Sequence, residues 1–212
     1  MAFALRAVHS IAAAAPAFRA TARVARRAAA VQTRAMADGA GEEVSPVELV
    51  DVRVGKVLKA YKHPEADKLY IEEIDVGEAE PRQICSGLVP YMSAEEIEGQ
   101  NVIVLANLKS RNLAGVPSHG MILCASDEAH ENVELLVCPE GAAPGERVKF
   151  GSWDGEQSEP HTENQMKKKK TWEKVAPDLK TTADCVAAYK ELEMVTSAGP
   201  VKCKSLANAL IG

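Results

Sequence analysis

Lys109 and Arg111 stand two residues apart in NLKSRNLAGVPSHGM, the stretch from Asn107 to Met121. The same stretch carries His119, two glycines and a proline, and no Asp or Glu. An ammonium and a guanidinium so placed bind anions. The guanidinium fork also grips a phosphate through two bonds or stacks on a base. Asn107, Ser110, Asn112, Ser118 and His119 add donors for phosphates, riboses or base edges. The clearing of carboxylates extends from Gly99 to Ser126, with Glu98 before it and Asp127 after it. A buried pair of strands has few carboxylates for its own reasons, which accounts for 101–108 and 121–126. It does not account for the polar residues 109–120, where a local electropositive surface is the functional reading.

That surface sits on an acidic body. The 212 residues carry a formal net charge of −5. Residues 1–37 hold six arginines, no acidic residue, and Ser10, Thr21 and Thr33 in an Ala-rich background. Such a leader reads as a disordered transit peptide. Its style points to a plastid, with the mitochondrion as the alternative. A start at Met36 gives a leaderless cytoplasmic form, and a basic tail on a cytosolic protein is the bland reading. Without the leader, 19 basic residues face 30 acidic ones. A body of that charge repels nucleic acid at long range unless its charge is segregated. Lys167 to Lys170 form a second basic feature, read either as a solvated helix end or as a further contact for a polyanion.

Several function classes are disfavoured. No apolar run approaches the roughly 20 residues of a membrane span, so no membrane role is expected. The five cysteines, Cys85, Cys124, Cys138, Cys185 and Cys203, form no C-x-x-C pair and are odd in number. That argues against a disulfide framework or a paired-cysteine zinc site, and for small buried residues in a reducing compartment. The phosphate-loop pattern is missing. Cys85 with His63 or His119 is a conceivable nucleophile pair, but nothing in the spacing supports it. His130 and His161 fall in polar loops and read as bland. A non-enzyme without cofactor is expected.

The elements that must position the basic stretch are mostly strands. LVDVRVGKVLKAY (49–61) alternates Val50, Val52 and Val54 up to Gly55, which marks a bulge or a close approach. KHPEADK is a turn, and LYIEEIDVG (69–77) and RQICSGLV (82–89) are the next strands. SAEEIEG reads as a short helix with Ser93 as N-cap, Glu96 closing a capping box and Gly99 as the stop. NVIVLANL (101–108) and MILCAS (121–126) follow, then ELLVC (134–138) and RVKF (147–150). Short strands with frequent turns suggest a small all-β barrel or sandwich, and the helix between the third and fourth strand fits a five-stranded Greek-key barrel of the OB type, which periodicity alone does not distinguish from other small β folds. Residues 38–45 read as a linker, 46–150 as the barrel, and 151–212 as a small β-rich or α+β extension. In the extension, 166–177 reads as a helix ended by Pro177, and Trp153 and Trp172 as packing anchors.

Taken in order, VDVRVGKVLKAYKHPEADKLYIEEIDVGE, ICSGLV, NLKSRNLAGVPSHGM and PGERV resemble a known family. It is the tRNA-binding domain found free-standing in bacteria and fused to several aminoacyl-tRNA synthetases. KKKKTWEKVAPDLKTTADCVAAYK is similar to the C-terminal extension of the endothelial monocyte-activating polypeptide II group. The resemblance covers about residues 44–212. It implies an OB-fold that binds tRNA by shape near the elbow and supplies it to a partner synthetase. It also implies a monomer, with the extension standing in for the second subunit of bacterial dimers. The contact residues it implies are Asn107, Lys109, Arg111, Ser118 and Met121. Arg53, Lys62, Lys68 and Ser86 are weaker candidates. The family often has a basic residue where Ala114 stands, a departure for which Arg111 compensates. The reading set against this one is a protein-interaction adaptor or chaperone-like module with weak or no RNA binding.

Overall fold

The computed structural model describes residues 44–152 and 157–212, and Val44–Gly212 forms one compact unit. The leader, Met36, most of the linker and Trp153 lie outside the described residues. No described helix is long and apolar enough to cross a membrane.

The first sheet has five strands and nearly closes into a barrel. Its strands are β1 (Val52–Lys62), β2 (Tyr70–Asp75), β3 (Arg82–Ser86), β4 (Asn101–Leu105) and β7 (Met121–Ile122), in the order β3-β2-β1-β4-β7. All its pairings are antiparallel. The expected all-β, OB-type barrel is the observed fold. The long β1 serves two neighbours by bending, with a register shift between Val57 and Lys59. Gly55 is not the bulge; it is the close approach. A Cβ there would stand 2.7 Å from Ile74 Cγ2 and 2.9 Å from Val104 Cγ2.

The helix between β3 and β4, α1 (Ala94–Ile97), is built as its sequence predicts. Ser93 accepts from the Glu96 amide and the Glu96 carboxylate accepts from the Ser93 amide. The helix plugs one end of the barrel with Ile97, which is fully buried. Burial of such a side chain contributes about 2 kcal/mol.

β4 explains why NVIVL is a continuous apolar run. Val102 and Val104 point into the barrel core with Val57, Ile74 and Ile84. Ile103 and Leu105 point the other way, into a second core with Val52, Val54, Leu179 and Met194. A strand buried on both faces has no solvated side on which to place polar residues.

The second core is roofed by a second sheet. It contains β8 (Cys124–Ser126), β9 (Val133–Leu135), β10 (Lys149–Phe150), β11 (Leu179–Thr181), β12 (Ala187–Tyr189), β13 (Leu192–Thr196), β14 (Gly199–Pro200) and β15 (Leu210–Ile211). Its order is β10-β13-β12-β11-β15-β8-β9, with β14 on β13. Strands from both sides of residue 150 therefore share one sheet and one core. The expected strand 121–126 divides at Leu123. Its amide donates to Ile103 while its carbonyl accepts from Leu136, and the chain passes from one sheet to the other.

The helix expected over 166–177 is two helices, α2 (Glu163–Lys169) and α3 (Thr171–Val175). Thr162 and Gln165 form a second capping box that starts α2 earlier. Lys170 then adopts a left-handed conformation at φ 51° and breaks the run. Pro177 does not end α3; it lies in the first turn of a 3-10 segment over Ala176–Asp178. Trp172 is half-buried and packs against the second core.

Candidate nucleic-acid interface

Between β4 and β7 the polar stretch is not an open loop. It folds into a hairpin of β5 (Arg111–Leu113) and β6 (Val116–Ser118), which pairs Arg111 with Ser118 and turns through Ala114 and Gly115. Both turn residues have positive φ, 48° and 90°. That is the geometry of the tight hairpin turn that favours Asn-Gly. Ala114 hides this signal, since its Cβ makes the left-handed region costly.

The hairpin is anchored along β3. The His119 amide donates to Gln83 O, and the Gln83 side chain donates to Pro117 O at 2.8 Å. Ser118 is buried; its hydroxyl accepts from the Cys85 amide at 3.0 Å and donates to Gly120 O at 3.1 Å. Arg82, which residue type and spacing did not single out, braces the base of the hairpin. Its Nη1 donates to Ala106 O at 2.5 Å and to His119 O at 3.0 Å.

Lys109 and Arg111 are exposed on this frame, and among the described residues neither makes an ion pair. Three arginines of the barrel are engaged elsewhere. Arg53 pairs with Asp51 at 2.7 Å and Glu78 at 3.4 Å, and Asp51 is the main cause of its raised pKa. Arg82 pairs with Glu78 at 2.5 Å and holds that carboxyl below its ordinary range. Arg147 is spent on the carbonyls of Ser158, Glu48 and Val50.

Lys109 and Arg111 flank a groove of about 380 Å³ whose lining contains no Asp or Glu among the described residues. Met121, Ser118 and Ser86 also line it. The groove thus brings together Lys109, Arg111, Ser118, Met121 and Ser86. Lys62 is exposed at the end of β1; it faces Tyr70, which faces Ser86. Two strand spacings put it about 10 Å from Ser86, outside the groove. Lys68 is exposed in the turn beyond.

Two candidates point elsewhere. Asn107 is buried, and its amide group is fully used inside. Its Oδ1 accepts from the Asp51 amide at 3.0 Å, and its Nδ2 donates to Leu49 O at 3.1 Å and His161 O at 2.8 Å. It is a joint, with no polar atom left for a ligand. Arg53 has its charge answered by two carboxylates, so it offers no free cation. His161, expected to be bland, is buried. Its Nδ1 meets Thr171 Oγ1 at 2.9 Å, and burial with Lys169 and Lys174 nearby lowers its pKa.

The thiols do not fit nucleophilic chemistry. All five are free and four are buried. Burial pushes the Cys85 thiol up, Cys124 to about 12 and Cys203 to about 11. Beneath the groove lies a residue the sequence reading missed. Glu72 sits inside the barrel with 0% exposure, and burial raises its pKa to about 7.

Fold and site together define an OB-type module with a cationic groove on one side and a covered back face. Residues 52–147 match the family described as "Putative tRNA binding domain". The C-terminal domain of Plasmodium vivax p43 superposes with a TM-score of 0.73 at 36% identity, covering 80% of this chain and all of that one. The chain belongs to this family of tRNA-binding domains.

A "Probable methionine--tRNA ligase" of Oryza sativa is 48% identical over 165 residues, 78% of this chain and 20% of the relative. The mouse "Aminoacyl tRNA synthase complex-interacting multifunctional protein 1" is 44% identical over 161 residues, 76% of this chain and 50% of the relative. The chain therefore spans between a fifth and a half of these curated relatives.

Proposed function

We propose that this chain is a non-catalytic tRNA-binding protein that retains or delivers tRNA for an aminoacyl-tRNA synthetase. It recognises the shape and backbone of tRNA through the groove of the barrel. The observation that carries this reading is the exposed, unpaired Lys109–Arg111 couple on an acid-free face of an acidic protein. Those cations neutralise phosphates and release the counterions condensed on the RNA, and the acidic remainder limits binding elsewhere. Lys62 and Lys68 extend the cationic track. Relatives named as tRNA ligases, or as interacting with a synthetase complex, support a synthetase partner.

The extension covers the back of β1 and β4 within the same chain, which supports a monomer in which it replaces a second subunit. Sedimentation equilibrium tests this; a dimer mass refutes it. The basic leader supports import into a plastid, with the mitochondrion as the alternative and a form from Met36 remaining in the cytoplasm. Fluorescent fusions with and without residues 1–37 decide among them.

The direct test of function is a titration of residues 38–212 with bulk tRNA at about 50 and about 200 mM salt, with duplex DNA as control. The expected result is binding that favours tRNA and weakens steeply with salt. No binding at low salt overturns the proposal and favours an adaptor that docks proteins without holding RNA.

A further inference from the structure

We infer that the groove beside Lys109 and Arg111 takes one unstacked nucleobase, and that Ser86, oriented by Glu72 beneath it, reads an amino group on that base. The inference rests on the tRNA-binding reading and names what that site selects.

The walls suit the flat faces of a base. Leu88, Leu108, Met121 and Ile122 supply apolar surface, in a volume within the ordinary range of ligand pockets. Tyr91 stands at the rim, 39% exposed, and its hydroxyl donates to His130 O at 2.9 Å. A ring pinned at its far end is a ready stacking surface. Lys109 and Arg111 lie where the flanking phosphates of such a nucleotide run.

The floor is polar in one specific sense. Tyr70, Glu72 and Ile74 alternate into the barrel, so the Glu72 carboxyl lies among apolar side chains. One of its oxygens accepts the Ser86 hydroxyl proton; the other is buried with no partner among the described residues. A lone carboxyl in such a place costs stability, so packing does not explain it.

Its effect on Ser86 follows from its charge. A serine hydroxyl has one hydrogen, and the ionised Glu72 carboxylate holds it. What Ser86 then shows the groove is lone pairs. Ser118 also gives its hydrogen away, to Gly120 O. The groove therefore offers acceptors at its floor and cations at its rim. Cytosine and adenine present an exocyclic amino donor, whereas uracil presents a carbonyl oxygen in the matching place. Glu72 acts through Ser86 and is a positioning residue.

The test displaces labelled tRNA from the full chain, at about pH 8.5 where Glu72 is ionised, with short single-stranded oligomers of C or U of equal length. These two bases differ at the group Ser86 reads. The expected result is that the C oligomer competes about tenfold better. Ser86→Ala should erase that preference, so that the C and U oligomers compete equally for whatever tRNA the variant binds. Glu72→Gln should weaken or abolish it, because an amide offers Ser86 a donor as readily as an acceptor and no longer fixes the hydroxyl proton. Tyr91→Ala should weaken both oligomers alike.

Equal competition by C and U, with tRNA still bound, overturns the base-reading inference and leaves the tRNA reading standing. An unchanged preference in Ser86→Ala overturns it as well. Failure of the wild-type chain to bind tRNA overturns both.

Discussion

The side-chain amide of Asn107 donates to the carbonyl oxygen of His161 over 2.8 Å, joining the entrance of the basic hairpin to the start of the C-terminal extension. The same side chain accepts from the Asp51 amide, which has no other partner among the described residues. Asn107→Ala should therefore destabilise the fold by on the order of 3 kcal/mol, through buried groups left unpaired. Asn107→Asp should be worse, since it sets a carboxylate against two carbonyl oxygens. Urea denaturation of the three proteins checks this. A loss below about 0.5 kcal/mol for the alanine variant contradicts the role of a joint.

Lys109 and Arg111 make no ion pair among the described residues, so their removal should spare the fold. Lys109→Ala with Arg111→Ala should cut tRNA affinity at least about tenfold, a loss of ~1.4 kcal/mol. The slope of log affinity against log salt should fall by about 2. Unchanged affinity, with an unchanged circular dichroism spectrum, sinks the assignment of the groove.

Ala114 holds φ 48° in a turn whose second residue is Gly115. A left-handed alanine costs roughly 1 kcal/mol that asparagine largely avoids. Ala114→Asn should stabilise the protein by up to about 1 kcal/mol, read as a higher melting temperature. A lower melting temperature would mean that the turn is not what limits the hairpin.

Glu72 has its pKa raised from 4.5 to about 7, first of all by burial. Between those values the folded chain keeps a proton that the unfolded chain has released. This contribution to stability is therefore fully present below about pH 4.5, falls as pH rises towards 7, and is flat above. Its ceiling is about 3 kcal/mol. Glu72→Gln should remove that part of the slope, so the variant gains on the wild type between pH 5 and pH 8. Parallel denaturation curves at the two pH values would refute the burial of a titrating carboxyl.

Much of the barrel is legible locally. The Ser93–Glu96 capping box, the strand through Val52 and Val54, and the strands around Ile71 and Ile84 are short-range patterns that fold as read, whereas Leu49 and Val50, expected in the first strand, end a 3-10 turn over Pro46–Leu49. The hairpin at 111–118 is not legible, because Ala114 occupies the place where asparagine or glycine would announce the turn. The Thr162–Gln165 box is likewise a local pattern, standing just before the more conspicuous lysines. Glu72 hides in LYIEEID, where one glutamate of the adjacent pair faces the barrel interior and Glu73 meets Lys59 at the surface.

What the sequence determined by itself was the charge logic and the strand inventory. An acid-free window with Lys109 and Arg111 depends only on which residues stand between Glu98 and Asp127, and strand alternation depends only on neighbours two apart. What only the tertiary structure decided was which polar groups remain free to meet a ligand. Asn107 and His161 are 54 residues apart, Ser86 and Glu72 are 14 apart, and Arg53 is neutralised in part by Glu78 from the loop after β2. Hydrogen bonds and ion pairs are satisfied by whatever lies close in space, and no local pattern records which partner the fold will bring.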